Sequence, residues 1–129
     1  MERLRATQTI VDGSLRETKV HGTEGFPIGV YLDDFADFEN GYICWHWHEE
    51  VQLTMILEGE FTCQVEPNEI HLCEGDIAFI NSGLMHQIMP CRLARGKLYS
   101  FIWRPELIGG GRNSDICQEC IAPVLAGNL

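Results

Sequence analysis

From residue 42 to residue 103 apolar and polar positions alternate in short runs, each closed by a cluster of Gly, Pro, Asn, Asp or Glu. Successive side chains of a strand point to opposite faces, so a period of two over four to eight residues marks a half-buried strand. The runs predict strands over residues 42–48, 51–57, 61–65, 70–73, 77–80, 86–89 and 97–103. Turns are expected at Glu58-Gly59-Glu60, Glu66-Pro67-Asn68-Glu69, Glu74-Gly75-Asp76 and Asn81-Ser82-Gly83. An earlier strand is expected over 26–32, with Pro27 confining it to an edge or a strand start. Residues 33–41 read as a loop. Residues 1–25 are polar and weakly patterned, with a short strand expected near Ile10 and Val11. Many short strands at this spacing predict an all-β fold, an antiparallel barrel or sandwich, and no helical period competes with it.

The tail differs. Gly109-Gly110-Gly111-Arg112-Asn113-Ser114 reads as a hinge, with Ser114 as the N-cap of a short helix through Ile121. Pro123 is expected to end that helix.

Length and composition narrow the function classes. At 129 residues, 45% hydrophobic and 22% charged, the chain suits one domain with a real core. Nineteen acidic against nine scattered basic residues give a formal charge of -10. That balance argues against a phosphate-binding surface, so this chain by itself is not expected to bind nucleic acid. No apolar run approaches the roughly twenty residues that span a bilayer. Met1-Glu2-Arg3-Leu4-Arg5 lacks the apolar core of a secretory signal, and a cytoplasmic location without membrane partners is expected.

In that compartment the six cysteines should stay reduced. Cys44, Cys63, Cys73 and Cys91 lie in or beside apolar runs and read as small buried hydrophobes. Cys117 and Cys120 have the spacing of a metal or redox pair, but no second such pair completes a four-sulfur zinc site. One helical turn apart, they read as structural.

The candidate chemistry lies in two segments. His46 and His48 are two apart, so both imidazoles point to one side of a strand; Glu50 and Gln52 keep that parity. His86 follows about forty residues later. His46, His48 and His86 could hold a divalent transition metal (Zn, Ni, Fe, Mn or Cu), with Gln52 as a weak fourth ligand and a position left open. The alternative is a pocket in which His46, His48, Gln52 and His86 hydrogen-bond to a ligand or to backbone. Glu50 either lines that pocket or is a solvated charge at its mouth. Trp45 and Trp47, of opposite parity, should face outward, packing under the first thirty residues or forming an interface; Trp103 reads as core. No Gly-rich phosphate loop, nucleophile elbow or Ser/His/Asp arrangement can be picked out.

These segments resemble the paired motifs of the cupin superfamily. Gly41, His46, His48 and Gly59 fit the first motif, with Gln52 where the family has its acidic residue. Gly75, Gly83 and His86 fit the second, with Asn81 in place of its proline and Pro90 in place of its asparagine. A narrower resemblance is to the N-terminal effector-binding domains of AraC-type transcriptional regulators. It is carried by residues 46–59, 75–86 and 99–125, including Tyr99-Ser100-Phe101-Ile102-Trp103-Arg104-Pro105.

The resemblance implies a cupin-type antiparallel β-barrel (a double-stranded β-helix or jelly roll) with a short C-terminal helix. Residues 1–25 would be an N-terminal arm and 26–108 the barrel. Residues 109–129 would be a hinge and the start of a linker helix towards a DNA-binding domain beyond this chain. The function implied is effector sensing: a carbohydrate-like small molecule inside the barrel, contacting His46, His48, Glu50, Gln52 and His86, in a homodimer that is not an enzyme. DNA would be bound through the C-terminal helix-turn-helix domain of such a regulator. The competing expectation is a stand-alone metal-dependent cupin enzyme, a dioxygenase or isomerase. Gln52 speaks against it, since the acidic residue is a usual ligand there.

Overall fold

Eight strands form where the alternating runs predict them. In a computed structural model describing residues 11–38, 40–109, 115 and 117–126, they are β1 (Ile28–Asp34), β2 (Ile43–His46), β3 (Val51–Glu58), β4 (Phe61–Val65), β5 (Asn68–Leu72), β6 (Ile77–Ile80), β7 (His86–Pro90) and β8 (Lys97–Trp103). They make two four-stranded antiparallel sheets, ordered β1-β8-β3-β6 and β2-β7-β4-β5. Most successive strands cross from one sheet to the other, which winds the chain into the expected double-stranded barrel.

The inner faces meet in a core of Ile56, Ala78, Ile80 and Leu98 from one sheet and Ile43, Phe61, Cys63, Leu72 and Ile88 from the other. This apolar half of the interior leaves the other half to the polar residues described below. The β7–β8 connection closes on Gly96, whose φ of +127° suits glycine; a Cβ there would sit 2.5 Å from Phe61 Cζ.

Several sequence expectations need correction. Asp33 and Asp34 belong to β1, and the expected loop contains a 3-10 turn, Phe35–Asp37, capped by the Asp34 carboxylate accepting from the Ala36 amide. Phe35 and Phe38, three apart, turn to the same side and plug the barrel, with both Phe38 and Phe61 at 4.8 Å from the Phe35 ring. The acidic residues between them masked this apolar pair. Of the four cysteines read as buried, Cys63 is buried and Cys44 half-buried, but Cys73 and Cys91 are exposed, each one residue past the end of its strand and on its outward parity. Trp103 is half-buried, not core, because its parity puts it on the outer face of β8.

Helical segments follow β8: Glu106–Gly109, a π-helical turn Cys117–Ile121, and Ala122–Leu125. Pro123 does not end the helix. It is the second residue of Ala122–Leu125, which follows directly on Cys117–Ile121, so helical structure runs past it. Cys120 is exposed. Residues 110–114, and with them most of the expected hinge and its Ser114 cap, lie outside the described residues, as does Ile10. Among the described residues no helix is long and apolar enough to cross a membrane.

Candidate functional site

The polar half of the interior is built by four strands. β2 is shorter than expected and ends at His46, with an irregularity of register between Ile43 and His46. The two residues differ in parity yet both are buried, which is what a bulge achieves by re-aiming one side chain. His46 pairs directly with His86 on β7. His48 lies past the strand end, held by its carbonyl accepting from the Gly83 amide at 2.8 Å. Gln52 comes from β3, facing Ile80 and Ile102.

The structure therefore brings His46, His48, Gln52 and His86 together, all buried. The ring centroids of His46 and His86 are 4.2 Å apart, those of His48 and His86 5.0 Å. One ligand nitrogen from each of the three rings lies within 4.8 Å of the other two.

Each ring is fixed by a backbone carbonyl. Nδ1 of His46 faces the Cys44 carbonyl at 2.8 Å, Nδ1 of His86 the Leu84 carbonyl at 2.8 Å, and Nδ1 of His48 the Glu50 carbonyl at 3.0 Å. Only a protonated Nδ1 can donate to a carbonyl, so in the neutral rings the lone pairs sit on Nε2. Nε2 of His86 is buried without a hydrogen-bond partner. Burial first, then the field of His46, pushes His86 down to about 3, and burial likewise lowers His46. Both therefore present neutral imidazoles at neutral pH.

Gln52 is clamped in turn. Its Oε1 lies 3.0 Å from His48 Nε2, and its Nε2 donates to Thr54 Oγ1 at 2.8 Å and to Ser100 Oγ at 3.4 Å. Thr54 and Ser100 share a further hydrogen bond at 3.0 Å. Ring nitrogens backed by carbonyls, an aimed amide oxygen and an orphaned buried Nε2 are the features of a metal-ligating histidine set. The residues fit a divalent transition metal held by His46, His48 and His86, with the Gln52 oxygen as fourth ligand. Such an ion supplies Lewis acidity to whatever enters the open position.

Sequence reasoning missed the roof. The N-terminal segment crosses the barrel mouth, tied down by Trp47. The Trp47 amide donates to the Leu15 carbonyl at 3.1 Å, its indole to the Ser14 carbonyl at 3.1 Å, and its carbonyl accepts from the Glu17 amide at 2.9 Å. Trp47 thus packs under the early segment, as its parity suggested; Trp45 is half-buried.

His21 stands over the site, 5.8 Å from the His48 ring, with Nδ1 2.6 Å from the Tyr31 hydroxyl and Nε2 against the Glu17 carboxylate. Burial opposes ionisation of Glu17, but the hydrogen bond from His21 and the fields of His21, His46 and His48 outweigh it and hold its carboxyl below the usual range. Burial, then Glu17, Asp33 and Glu50, push the Tyr31 phenol up to about 12.

The space beneath this segment is about 40 Å³, lined by Glu17, His21, Tyr31, His46, Gln52 and Ser100 among others. That is room for an ion and a few waters, against roughly 300 Å³ or more for a usual small-molecule pocket. Glu50 contributes its carbonyl to His48, while its side chain lines outer clefts with Arg16 and Arg104.

Comparison with known proteins agrees with this fold. Residues 38–89 match the cupin domain model. Over 77 residues the chain is 39% identical to the uncharacterised HTH-type transcriptional regulator YdeC of Bacillus subtilis (strain 168), a match covering 60% of this chain and 26% of that protein. The chain thus spans about a quarter of the length of this relative.

Among solved structures, a cupin 2 conserved barrel domain protein from Rhodopseudomonas palustris superposes with a TM-score of 0.51 at 21% identity, over 64% of this chain and 55% of that one. A cupin-2 domain protein from Shewanella frigidimarina gives 0.47 at 19%, over 60% and 69%. The fold is a cupin-type barrel, and the residues that match the cupin domain model, 38–89, carry His46, His48, Gln52 and His86.

Proposed function

We propose that this chain is the effector-sensing domain of an AraC-type transcriptional regulator. In this reading a small polar molecule binds inside the barrel at the site formed by His46, His48, Gln52 and His86. The observation that carries it is the burial of three carbonyl-backed imidazoles and a clamped amide beneath the N-terminal segment. The similarity to an HTH-type regulator supports placing that site in a sensor.

A carbohydrate-like effector is larger than the 40 Å³ space, so its entry requires residues 17–21 to lift. A ligand acts only through its different affinity for two states, and the roofed and open arrangements are two such states. The other end of the signal is Asn81, at the end of β6, whose Nδ2 donates to the Val124 carbonyl at 2.6 Å. It joins the β6–β7 turn, which also holds His48, to the C-terminal helical segment. In this reading the regulator works as a homodimer and reaches DNA through a helix-turn-helix domain outside this chain.

Thermal unfolding of the chain with a panel of monosaccharides and sugar acids, with and without divalent metal, tests this. A ligand at a hundred times its Kd stabilises by about 2.7 kcal/mol. The expected result is a shift with one class of sugar in the wild type that disappears in His46→Ala. A shift retained in full by His46→Ala would overturn the site, and no shift with any panel member would overturn the carbohydrate class.

The neutral Nε2 atoms also favour a second reading, a metal-dependent cupin enzyme. Turnover of a substrate that is lost together with bound metal in His46→Ala would establish it over the sensor.

A further inference from the structure

A second cluster of metal-ligating side chains lies on the opposite, outward face of the β2-β7-β4-β5 sheet. Phe61, Leu72 and Pro90 are in register and point into the core. Their neighbours Glu60, His71, Cys73 and Cys91 therefore all point out, and all are exposed. Continuing the register by one position sets Glu60 between Cys73 on one side and Cys91 on the other; the Cys91 amide donates to the Glu60 carbonyl at 2.9 Å.

His71 Nε2 lies 3.3 Å from a Glu60 carboxylate oxygen. One ligand atom each from Glu60, His71 and Cys91 falls within 4.8 Å of the others. Cys73 and Cys91 are two strand spacings apart, about 10 Å between Cα atoms. That is too wide for a disulfide without backbone movement.

We propose that Glu60, His71 and Cys91 form a surface site for a thiophilic divalent ion, Zn²⁺ in the first instance. The donor set of thiolate, imidazole and carboxylate is the one zinc takes, and soft sulfur ligands exclude Mg²⁺ and Ca²⁺. The ion would clip three adjacent strands at one end of the barrel. β5 is the edge strand in need of such a clip, since Leu72 is its one buried residue. A surface Glu–His pair alone holds little.

Cobalt(II) is the probe, because cobalt–thiolate bonds give a near-ultraviolet charge-transfer band that histidine-only sites lack. The reduced chain, titrated with cobalt, should develop the band with about one equivalent bound at this site. His86→Ala should keep it. Cys91→Ser should lose it, and His71→Ala should weaken the binding about tenfold or more. These positions are exposed, so circular dichroism of the variants should match the wild type. Absence of any thiolate band in the wild type would overturn the proposal. So would a band unchanged in Cys91→Ser, which would assign the ion to other cysteines such as Cys117 and Cys120.

Discussion

Gln52 Oε1 lies 3.0 Å from His48 Nε2, while Nδ1 of the same ring faces the Glu50 carbonyl at 3.0 Å. A neutral imidazole has one N–H, so it cannot donate to both oxygens. A cation between Nε2 and Oε1 resolves the pair, and so does an exchange of the amide oxygen and nitrogen of Gln52. In the first case both atoms are ligands; in the second the amide N–H donates to the ring, Thr54 donates to the oxygen and Ser100 donates to Thr54.

Gln52→Glu distinguishes them. A carboxylate there puts a negative charge beside the three rings, and the Thr54 hydroxyl alone can turn to donate to it while Ser100 donates to Thr54. Metal affinity at the histidine site should rise by about tenfold or more, since ligand charge sets affinity in such sites. Competition titrations in a Cys91→Ser background measure it. The metal-free variant should melt below the wild type, because a buried carboxylate without a counter-charge is costly, and metal should reverse that loss. Unchanged affinity would show that residue 52 is no ligand.

Acid should weaken the metal-free fold through His86 and His46. The folded-state value of His86 is about 3 against 6.5 for the ordinary ring, and that of His46 is also lowered. Below pH 6.5 the unfolded chain therefore binds protons that the folded chain refuses. The stability these neutral rings contribute is complete above pH 6.5 and is lost progressively as pH falls towards 3. For His86 the slope approaches about 1.4 kcal/mol per pH unit, and His46 adds to it in the same direction. Glu17, with its lowered value, stays ionised through the upper part of this window and adds nothing there. Urea unfolding between pH 7.5 and 5 should show the loss, and His86→Leu should flatten it. Equal slopes in both proteins would contradict the burial argument.

The fold and the site were unevenly legible in the sequence. Strands β3, β4, β6 and β8 follow from alternation alone, because each has one face on the core and one outward. The spacing of His46, His48, Gln52 and His86 was enough to place four residues in one interior, although β2 stops at His46 and a bulge rather than simple parity sets its direction. Thr54 and Ser100 could have been found: Thr54 continues the parity of Gln52, and Ser100 is a lone polar residue in an apolar run. Glu17 and His21 could not. They belong to a segment without periodicity, positioned by backbone bonds to Trp47 that leave no mark on either pattern. The outward Cys73 and Cys91 misled because adjacency to an apolar run does not tell which parity a residue just past the strand end will take.

Trp47 controls the roof. Trp47→Ala removes the indole bond to Ser14 and the packing of Arg16, whose guanidinium carbon is 5.4 Å from the ring centre. The loss of one hydrogen bond and part of an aromatic contact amounts to about 1–3 kcal/mol, borne by the segment rather than the barrel. Limited proteolysis within residues 12–22 should accelerate, and cobalt should enter the histidine site faster in stopped-flow mixing. Unchanged entry would show that the segment is no barrier.

Gly96 is a position where the barrel tolerates no side chain. At φ +127° an alanine is strained, and its Cβ would meet the Phe61 ring at 2.5 Å. Strain and overpacking together should cost about 2–4 kcal/mol. Gly96→Ala should lower the urea midpoint accordingly, whereas Gly75→Ala, strained by its φ of +86° but with open space around it, should cost less. Equal losses would place the whole effect in the backbone.

Whether the three buried imidazoles act as ligands is read most directly from the metal content of the histidine site. Equilibrium dialysis of Cys91→Ser against cobalt or zinc, with and without the additional change His86→Ala, isolates it from the surface cluster. The account predicts one ion per chain in Cys91→Ser and its loss with His86→Ala while the barrel stays folded. Equal binding by both proteins, or none by Cys91→Ser, would contradict it.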